Sequence, residues 1–423
     1  MYVHQYLFYR LQLSRTAIHS PKIKRNQIQN YPKMIQITNK ADCCGCTACA
    51  SVCMHHAITL KSDNEGFLYP IINKDSCIEC GLCEKVCPIL QRKKQELNPN
   101  QLHYKALRIK DTELLNQSSS GGAFIAVASY IIKKGGVICG AKYTKAATVI
   151  HGFAETLDEA KKFMGSKYSQ SDIQGVFPKI KETLKTGRLV LFTGTPCQVH
   201  GLNLFLQKKY NNLFTIDLVC HAVPSPLIFQ EYINYCSQKL KSPIESIDMR
   251  YKLPYGWGHN FSYRFHLQNG KNLTNPYSVE KWGRLFFSKL IDRPSCHECK
   301  FTNYNRCSDL TIADFWDDMN KRPDIYSKEG TSLCLVNTEK GALILNEIND
   351  TIALWDISQE ESQQPCLLRP TPPNNKREKF WNDYNKRGFK YVYWKYFTDS
   401  YYVQFKHMIK HILIILGIWT KKE

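Results

Sequence analysis

Eight cysteines constrain this chain more than any other feature: Cys43, Cys46, Cys49 and Cys53, then Cys77, Cys80, Cys83 and Cys87. Each set is spaced C-x2-C-x2-C-x3-C, and Pro88 closes the second. Three cysteines two residues apart wrap a turn of backbone around three corners of an iron–sulfur cube, and the fourth, set further along, reaches a neighbouring cube. The pattern predicts two [4Fe-4S] clusters with crossed ligands: Cys43, Cys46, Cys49 and Cys87 for one, Cys77, Cys80, Cys83 and Cys53 for the other. Structural zinc and a disulfide framework are the competing readings. Zinc knuckles rarely need four thiolates at this cadence twice, and a chain of 423 residues has core enough to fold without disulfide staples. Met54 stands where a proline usually follows the fourth cysteine of the first set. Cys44 is a ninth thiol beside the first ligand, read as a spare because moving the register by one would break the gap to Cys46.

The length suits a small α+β ferredoxin-like dicluster module, residues 34–91, followed by a larger α/β body of roughly 250 to 300 residues. Thiolates that hold iron must stay reduced, which predicts a cytoplasmic protein. The first forty residues carry seven Lys/Arg and no Asp or Glu. With no apolar h-region or small-residue cleavage site, they argue against a secretory signal. Met34 sits nine residues before Cys43, so residues 1–33 are expected to be a disordered extension or a mistaken upstream start, with an organellar transit peptide as the alternative.

Beyond a charged linker, Arg92 to Gln101, the sequence turns to ordinary α/β patterning. Ser118-Ser119-Ser120-Gly121-Gly122 precedes the apolar helical run Ala123 to Ile132 and a strand-like stretch, Gly136 to Tyr143. Small residues before a helix leave backbone N–H groups free to meet an anion, and a plain N-cap turn reads equally well. Gly165 to Ser171 repeats this arrangement before a helical stretch from Ile173 to Leu184. There Lys167 is either a phosphate partner or a solvated charge, and Tyr168 either a ring to stack on or a packing residue. Leu189 to Phe192 reads as a buried strand, Gly194 to Cys197 as a turn, Gln198 to Lys208 as a helix, and Phe214 to Val219 as the next strand. A right-handed, parallel unit of this kind brings Cys197 and Cys220 to the carboxyl edge of one sheet, where ligands bind. Cys296 and Cys299 form a further C-x-x-C. Four such thiolates suffice for a third cubane; a dithiol redox pair, a zinc knuckle using His297 or Cys307, and inert buried cysteines remain open.

The dicluster module, SSSGGAF at Ser118 to Phe124, GSKYSQS at Gly165 to Ser171, GTPCQ at Gly194 to Gln198, CHAVPSP at Cys220 to Pro226, the C-x-x-C at Cys296 and DLTIADFW at Asp309 to Trp316 occur in the order of a known family. Over residues 40 to 390 the chain resembles the coenzyme F420 hydrogenase/dehydrogenase beta subunit family. The resemblance implies a body, residues 92–370, that binds FAD and one [4Fe-4S] cluster and exchanges electrons with a deazaflavin. By motif, Cys197, Cys220, Cys296 and Cys299 would hold the third cluster. The flavin would lie near Ser119, Ser120, Gly121 and Gly122, with Ser166, Lys167, Tyr168, Gly194 and Thr195 close.

A cubane moves one electron whereas a flavin takes two singly and delivers a hydride, so the expected protein is an oxidoreductase linking a ferredoxin or partner subunit to an organic two-electron acceptor. The alternatives are an electron-transfer partner of a polysaccharide-assembly or other enzyme, and a non-catalytic cluster-containing interaction module. No nucleophile triad, H-E-x-x-H or Walker loop offers a competing catalysis. His221 reads as a proton carrier, a donor to a cluster sulfur or a satisfied buried histidine. The net charge of +20 falls to roughly +12 with three clusters and a flavin dinucleotide at about −2 each. It therefore gives no reason to expect nucleic acid. The basic, aromatic tail, residues 371–423, would suit nucleic acid, a peripheral membrane contact or an acidic partner, and reads equally well as a lid packing its rings on the body. Its apolar run Ile412 to Leu416 is too short to span a bilayer.

Overall fold

The computed structural model describes residues 34–92, 103–252, 256–258, 262–316 and 322–398, with Ile409. The expected N-terminal extension, most of the linker and the apolar run of the tail lie outside the described residues.

In the module, two short helices, α1 (Ala48–Val52) and α2 (Leu82–Lys85), flank an antiparallel hairpin of β1 (Ile58–Ser62) and β2 (Leu68–Ile72). The two cysteine sets adopt the same backbone. The residues on both sides of the second cysteine are left-handed in each copy: Gly45 and Thr47 around Cys46, Glu79 and Gly81 around Cys80. That sharp double turn is what lets three closely spaced thiols face one point. Thr47 holds it without glycine's freedom, at a cost of about 1 kcal/mol. The hairpin tip presses on the body, since a Cβ on Gly66 would lie 2.3 Å from Leu227 Cβ. Next to it Glu65 forms a two-pronged ion pair with Arg377, its Oε1 accepting from Nη1 at 2.9 Å.

The body is built on one eight-stranded mixed sheet. Its strands are β3 (His103–Ile109), β4 (Val137–Tyr143), β5 (Val149–Ala154), β6 (Val190–Gly194), β7 (Leu213–Leu218), β11 (Leu310–Asp314), β12 (Ser332–Val336) and β13 (Ile352–Asp356). The order is β13-β3-β12-β11-β7-β6-β4-β5, with β11, β7, β6 and β4 parallel and the outer pairs antiparallel. Val190, Leu191 and Phe192 are all buried, as a strand covered on both faces requires. The covering helices include α3 (Ala123–Lys133), α4 (Val176–Lys185) and α5 (Pro196–Leu206), close to their expected spans. A separate antiparallel sheet, β8 (Ile244–Tyr251), β9 (Ser262–Leu267) and β10 (Asn272–Thr274), packs with α6 (Pro226–Leu240) around Trp282.

Helix α7 (Arg377–Val392) bends at Gly388 and buries Phe380, Trp381, Phe389 and Val392 in that second core, joined by Tyr393 and Phe397. This part of the basic, aromatic tail packs its rings on the body. No helix among the described residues is long and apolar enough to cross a membrane.

Candidate metal centre

Cys43, Cys46, Cys49 and Cys87 line one cavity, the set expected from crossed ligation. Burial, then the facing thiolates of Cys43 and Cys87, push the Cys49 thiol well above its ordinary range. A site that crowds four thiols in this way is one whose protons leave when metal binds. Of the other set, Cys83 is buried and accepts from the Ile35 N–H at 3.3 Å, Cys53 and Cys77 are half-buried, and Cys80 is exposed.

The strand, turn, helix, strand unit forms as expected. β6 and β7 run parallel, Pro196 opens α5 at the position where its missing N–H costs nothing, and the Thr195–Gln198 capping box closes that end. Cys197 therefore stands at the start of α5 and Cys220 just past β7, both at the carboxyl edge. A short helix, Pro294–His297, carries Cys296 to the same place. Cys197, Cys220, Cys296 and Cys299 line one cavity. Cys220 is raised far above the usual thiol range by burial and then by Cys296, Cys197 and Cys299. Neither His297 nor Cys307 joins these thiols: His297 turns its Nδ1 to Thr371 O at 3.0 Å, and Cys307 lies outside the cavity wall. Among the described residues no three His, Cys, Asp or Glu side chains stand close enough to hold a single metal ion.

Three residues that the spacing gave no reason to select share this wall. Cys366 lines it, and so does Arg306, a buried guanidinium none of whose nitrogens finds a hydrogen-bond partner among the described residues; the Asp217 carboxylate lies 3.7 Å away. Cys44, expected to be a spare, lines both cavities and reaches both Cys46 and Cys197. Ile89 also belongs to both walls, so the two thiol sites are neighbours. Where module and body meet, Gly201 of α5 lies so close that a Cβ there would sit 3.0 Å from Cys46 Sγ.

The loops expected to hold a flavin do meet, because Ser166 N–H donates to Ser119 Oγ at 3.1 Å. Several of their atoms are already engaged. Gly121 is pressed against the sheet, with Leu107 O and Ser332 N where a Cβ would go, and Gly122, at φ +82°, packs on Ile109. Ser120 Oγ donates to Thr331 O at 2.8 Å. Lys167 folds back to donate to Lys162 O and Met164 O, and burial lowers it to about 7. Tyr168 stacks on Phe286 at 4.3 Å. Thr195 lines the thiol cavity, with its Oγ1 3.2 Å from Cys197 Sγ, and Gly194 packs against Gln198 and Phe192. His221 is half-satisfied, its Nδ1 3.4 Å from Thr371 Oγ1 and its Nε2 buried without a partner among the described residues.

Similarity to known proteins agrees with the module and with the strands around Cys197. Residues 187–360 match the family described as the C terminus of the coenzyme F420 hydrogenase/dehydrogenase beta subunit, and residues 42–89 match the 4Fe-4S dicluster domain. The chain is 24% identical over 336 residues to the coenzyme F420-dependent sulfite reductase of Methanocaldococcus jannaschii, covering 77% of this chain and 49% of that protein. It thus spans about half the length of this curated relative. A chain in a structure of the F420-reducing [NiFe] hydrogenase complex from Methanosarcina barkeri aligns with 70% of this chain and 94% of its own length, at 17% identity and a TM-score of 0.42. Over residues 187–360 the chain is thus similar to the coenzyme F420 hydrogenase/dehydrogenase beta subunit family, and a match to the 4Fe-4S dicluster domain precedes that segment.

Proposed function

We propose that this chain is an iron–sulfur oxidoreductase that passes electrons between its dicluster module and a third [4Fe-4S] cluster held by Cys197, Cys220, Cys296 and Cys299, and thence to an FAD-dependent site serving a two-electron acceptor of the deazaflavin class. The observation that carries this reading is the shared wall: four thiols far apart in sequence surround one cavity, and Cys44 and Ile89 separate it from the module's own thiol cavity. Clusters supply single electrons and a flavin would convert them into a hydride. The residues around the cavity suit a buried anion. The Arg306 donors have no hydrogen-bond partner among the described residues, the Thr195 hydroxyl can donate to Cys197 Sγ, and the Val223 N–H lies 3.5 Å from Cys296 Sγ.

The flavin part of the proposal rests on the junction of Ser119 with Ser166, backed by Lys252, whose Nζ donates to Leu115 O and Ser120 O from a buried position. Gly121, Lys167 and Tyr168 are engaged by protein atoms, so occupancy requires the two side chains to turn outward. The electron donor is a ferredoxin or a partner subunit, and the compartment is a reducing cytoplasm. Anaerobically purified protein is expected to hold about twelve iron and twelve sulfide, at four of each per cubane, together with releasable FAD and F420 reduction by reduced ferredoxin. Cys296→Ser should remove about four irons and leave the module's clusters. Iron near eight in the parent protein would end the third-cluster reading, and absence of flavin the FAD reading.

A further inference from the structure

Arg293 is fully buried, and no carboxylate among the described residues pairs with it. It makes four hydrogen bonds instead, three of them to the module around Cys43 and one to Gln170 of the body. Nε donates to Cys43 O at 2.7 Å, Nη2 to Leu68 O at 2.9 Å and to Cys43 Sγ at 3.5 Å, and Nη1 to Gln170 Oε1 at 2.9 Å. The guanidinium lies over the Tyr69 ring at 4.4 Å and the Phe67 ring at 5.3 Å. Gln170 completes the clamp by donating from Nε2 to Cys44 O at 3.1 Å. Gly45 explains how this fits: a Cβ there would come within 2.7 Å of Gln170 Nε2 and 2.8 Å of Arg293 Nη1. Between Cys44 and Cys46 a glycine is required because body side chains occupy the space a side chain would need.

A buried guanidinium without a counter-ion is strongly destabilising. Here the group that faces it is a thiol of the module, Cys43, whose carbonyl and Sγ both accept from it. Three residues further on, the same stretch of chain delivers Cys296 to the second cavity.

We propose that Arg293 is the counter-cation of the cubane held by Cys43, Cys46, Cys49 and Cys87, raising its reduction potential through buried positive charge and an N–H···S bond to Cys43. The inference rests on the assignment of those four ligands. A positive charge stabilises the reduced cluster, which carries one more negative charge than the oxidised one, and an N–H donor to a ligand sulfur acts in the same direction. Arg293 is thus a positioning and tuning residue, acting on the cluster through its ligand.

The test uses the full holoprotein, purified anaerobically, with midpoint potentials read by EPR-monitored redox titration and iron counted in parallel. Arg293→Gln removes the charge and Arg293→Lys keeps it. In Arg293→Gln one cluster's midpoint is expected to move to more negative potential while the others stay, and in Arg293→Lys the shift should be smaller. Loss of about four irons in Arg293→Gln alone, with Arg293→Lys retaining them, would also mark a charge requirement. Unmoved midpoints in both variants, equal shifts in both, or iron loss in both would overturn the proposal, because then charge is not what the residue contributes. Cys43→Ser reports on the ligand assignment separately: full iron with an unchanged EPR signal there would remove the cubane from Cys43 whatever Arg293 does.

Discussion

The two ends of the dicluster module face opposite environments. At the inner end Cys46, Cys49 and Cys87 are buried, Cys43 is held by Arg293, and α5 crosses at Gly201. At the outer end Cys80 is exposed, and beside Cys53 and Cys77 the side chains of Met54 and Ile78 stand 84% and 62% exposed. The cysteine repeats are the same and so is the local backbone, with left-handed residues at 45 and 47 matched by 79 and 81. The difference therefore comes from the body, which covers the first copy and leaves Cys80 and the side chains of Met54 and Ile78 in solvent. That asymmetry suits an arrangement in which a redox partner meets the outer site and the inner site exchanges electrons with the four-thiol cavity next to it.

Removing one ligand at each end should give the largest effect and the clearest contrast. Cys46→Ser takes away a thiol that contacts both Gly201 and Cys44. With dithionite as reductant it is expected to leave the outer cluster reducible and to slow reduction of the acceptor by about a hundredfold or more. Cys80→Ser should lose the outer cluster, cut turnover with ferredoxin comparably, and spare most of the turnover driven by a small reductant. Stopped-flow absorbance resolves the two. Equal loss with dithionite in both variants would remove that arrangement.

Much of this contrast was legible in the sequence and part was not, for physical reasons. Ligand spacing within a repeat is local information, so the inner set Cys43, Cys46, Cys49 and Cys87 and the β6–α5–β7 unit follow from pattern. The same unit brings Cys197 and Cys220 to one sheet edge, but the arrival of Cys296 and Cys299 beside them is not in the spacing; the family resemblance supplied it. Cys44 and Arg293 look like a spare thiol and one more cation in a chain of +20. Their roles exist only through neighbours about 150 and 250 residues away. The glycines at 121 and 122 teach something else, since packing against Leu107, Ile109 and Ser332 requires them whether or not the loop cradles an anion.

A smaller effect should appear in acid, on the body's side of the contrast. His151 of β5 is buried against Phe192, with its Nε2 3.0 Å from Thr193 O. Burial lowers it from 6.5 to about 4. Between those values the unfolded chain takes up a proton that the folded body refuses. Stability present at neutral pH is therefore lost as the pH falls through this window, by up to about 3 kcal/mol for this residue. Denaturant unfolding followed by tryptophan fluorescence should show that slope. In His151→Gln it should flatten, and an unchanged slope would mean that the imidazole is not held neutral.

The smallest effect concerns the rim of the outer site. Met54 and Ile78 are large apolar side chains in water, adjacent in sequence to two of the expected outer ligands, and such exposure is what a transient protein contact uses. Long-range charge steers encounter, and most single substitutions at a rim change association rates modestly. Met54→Glu with Ile78→Glu is accordingly expected to slow reduction by an acidic ferredoxin by about threefold to tenfold, the more so at low salt. Met54→Gln with Ile78→Gln, which removes the apolar surface without adding charge, should retain part of that slowing and lose the salt dependence. Dithionite needs no docking surface, so its rate should stay at the parent value in both double variants when they keep full iron. If dithionite slows as much as ferredoxin does, the substitutions have disturbed the cluster itself. The outer end would then be exposed without being the place where a donor docks, and electrons would have to arrive by another face.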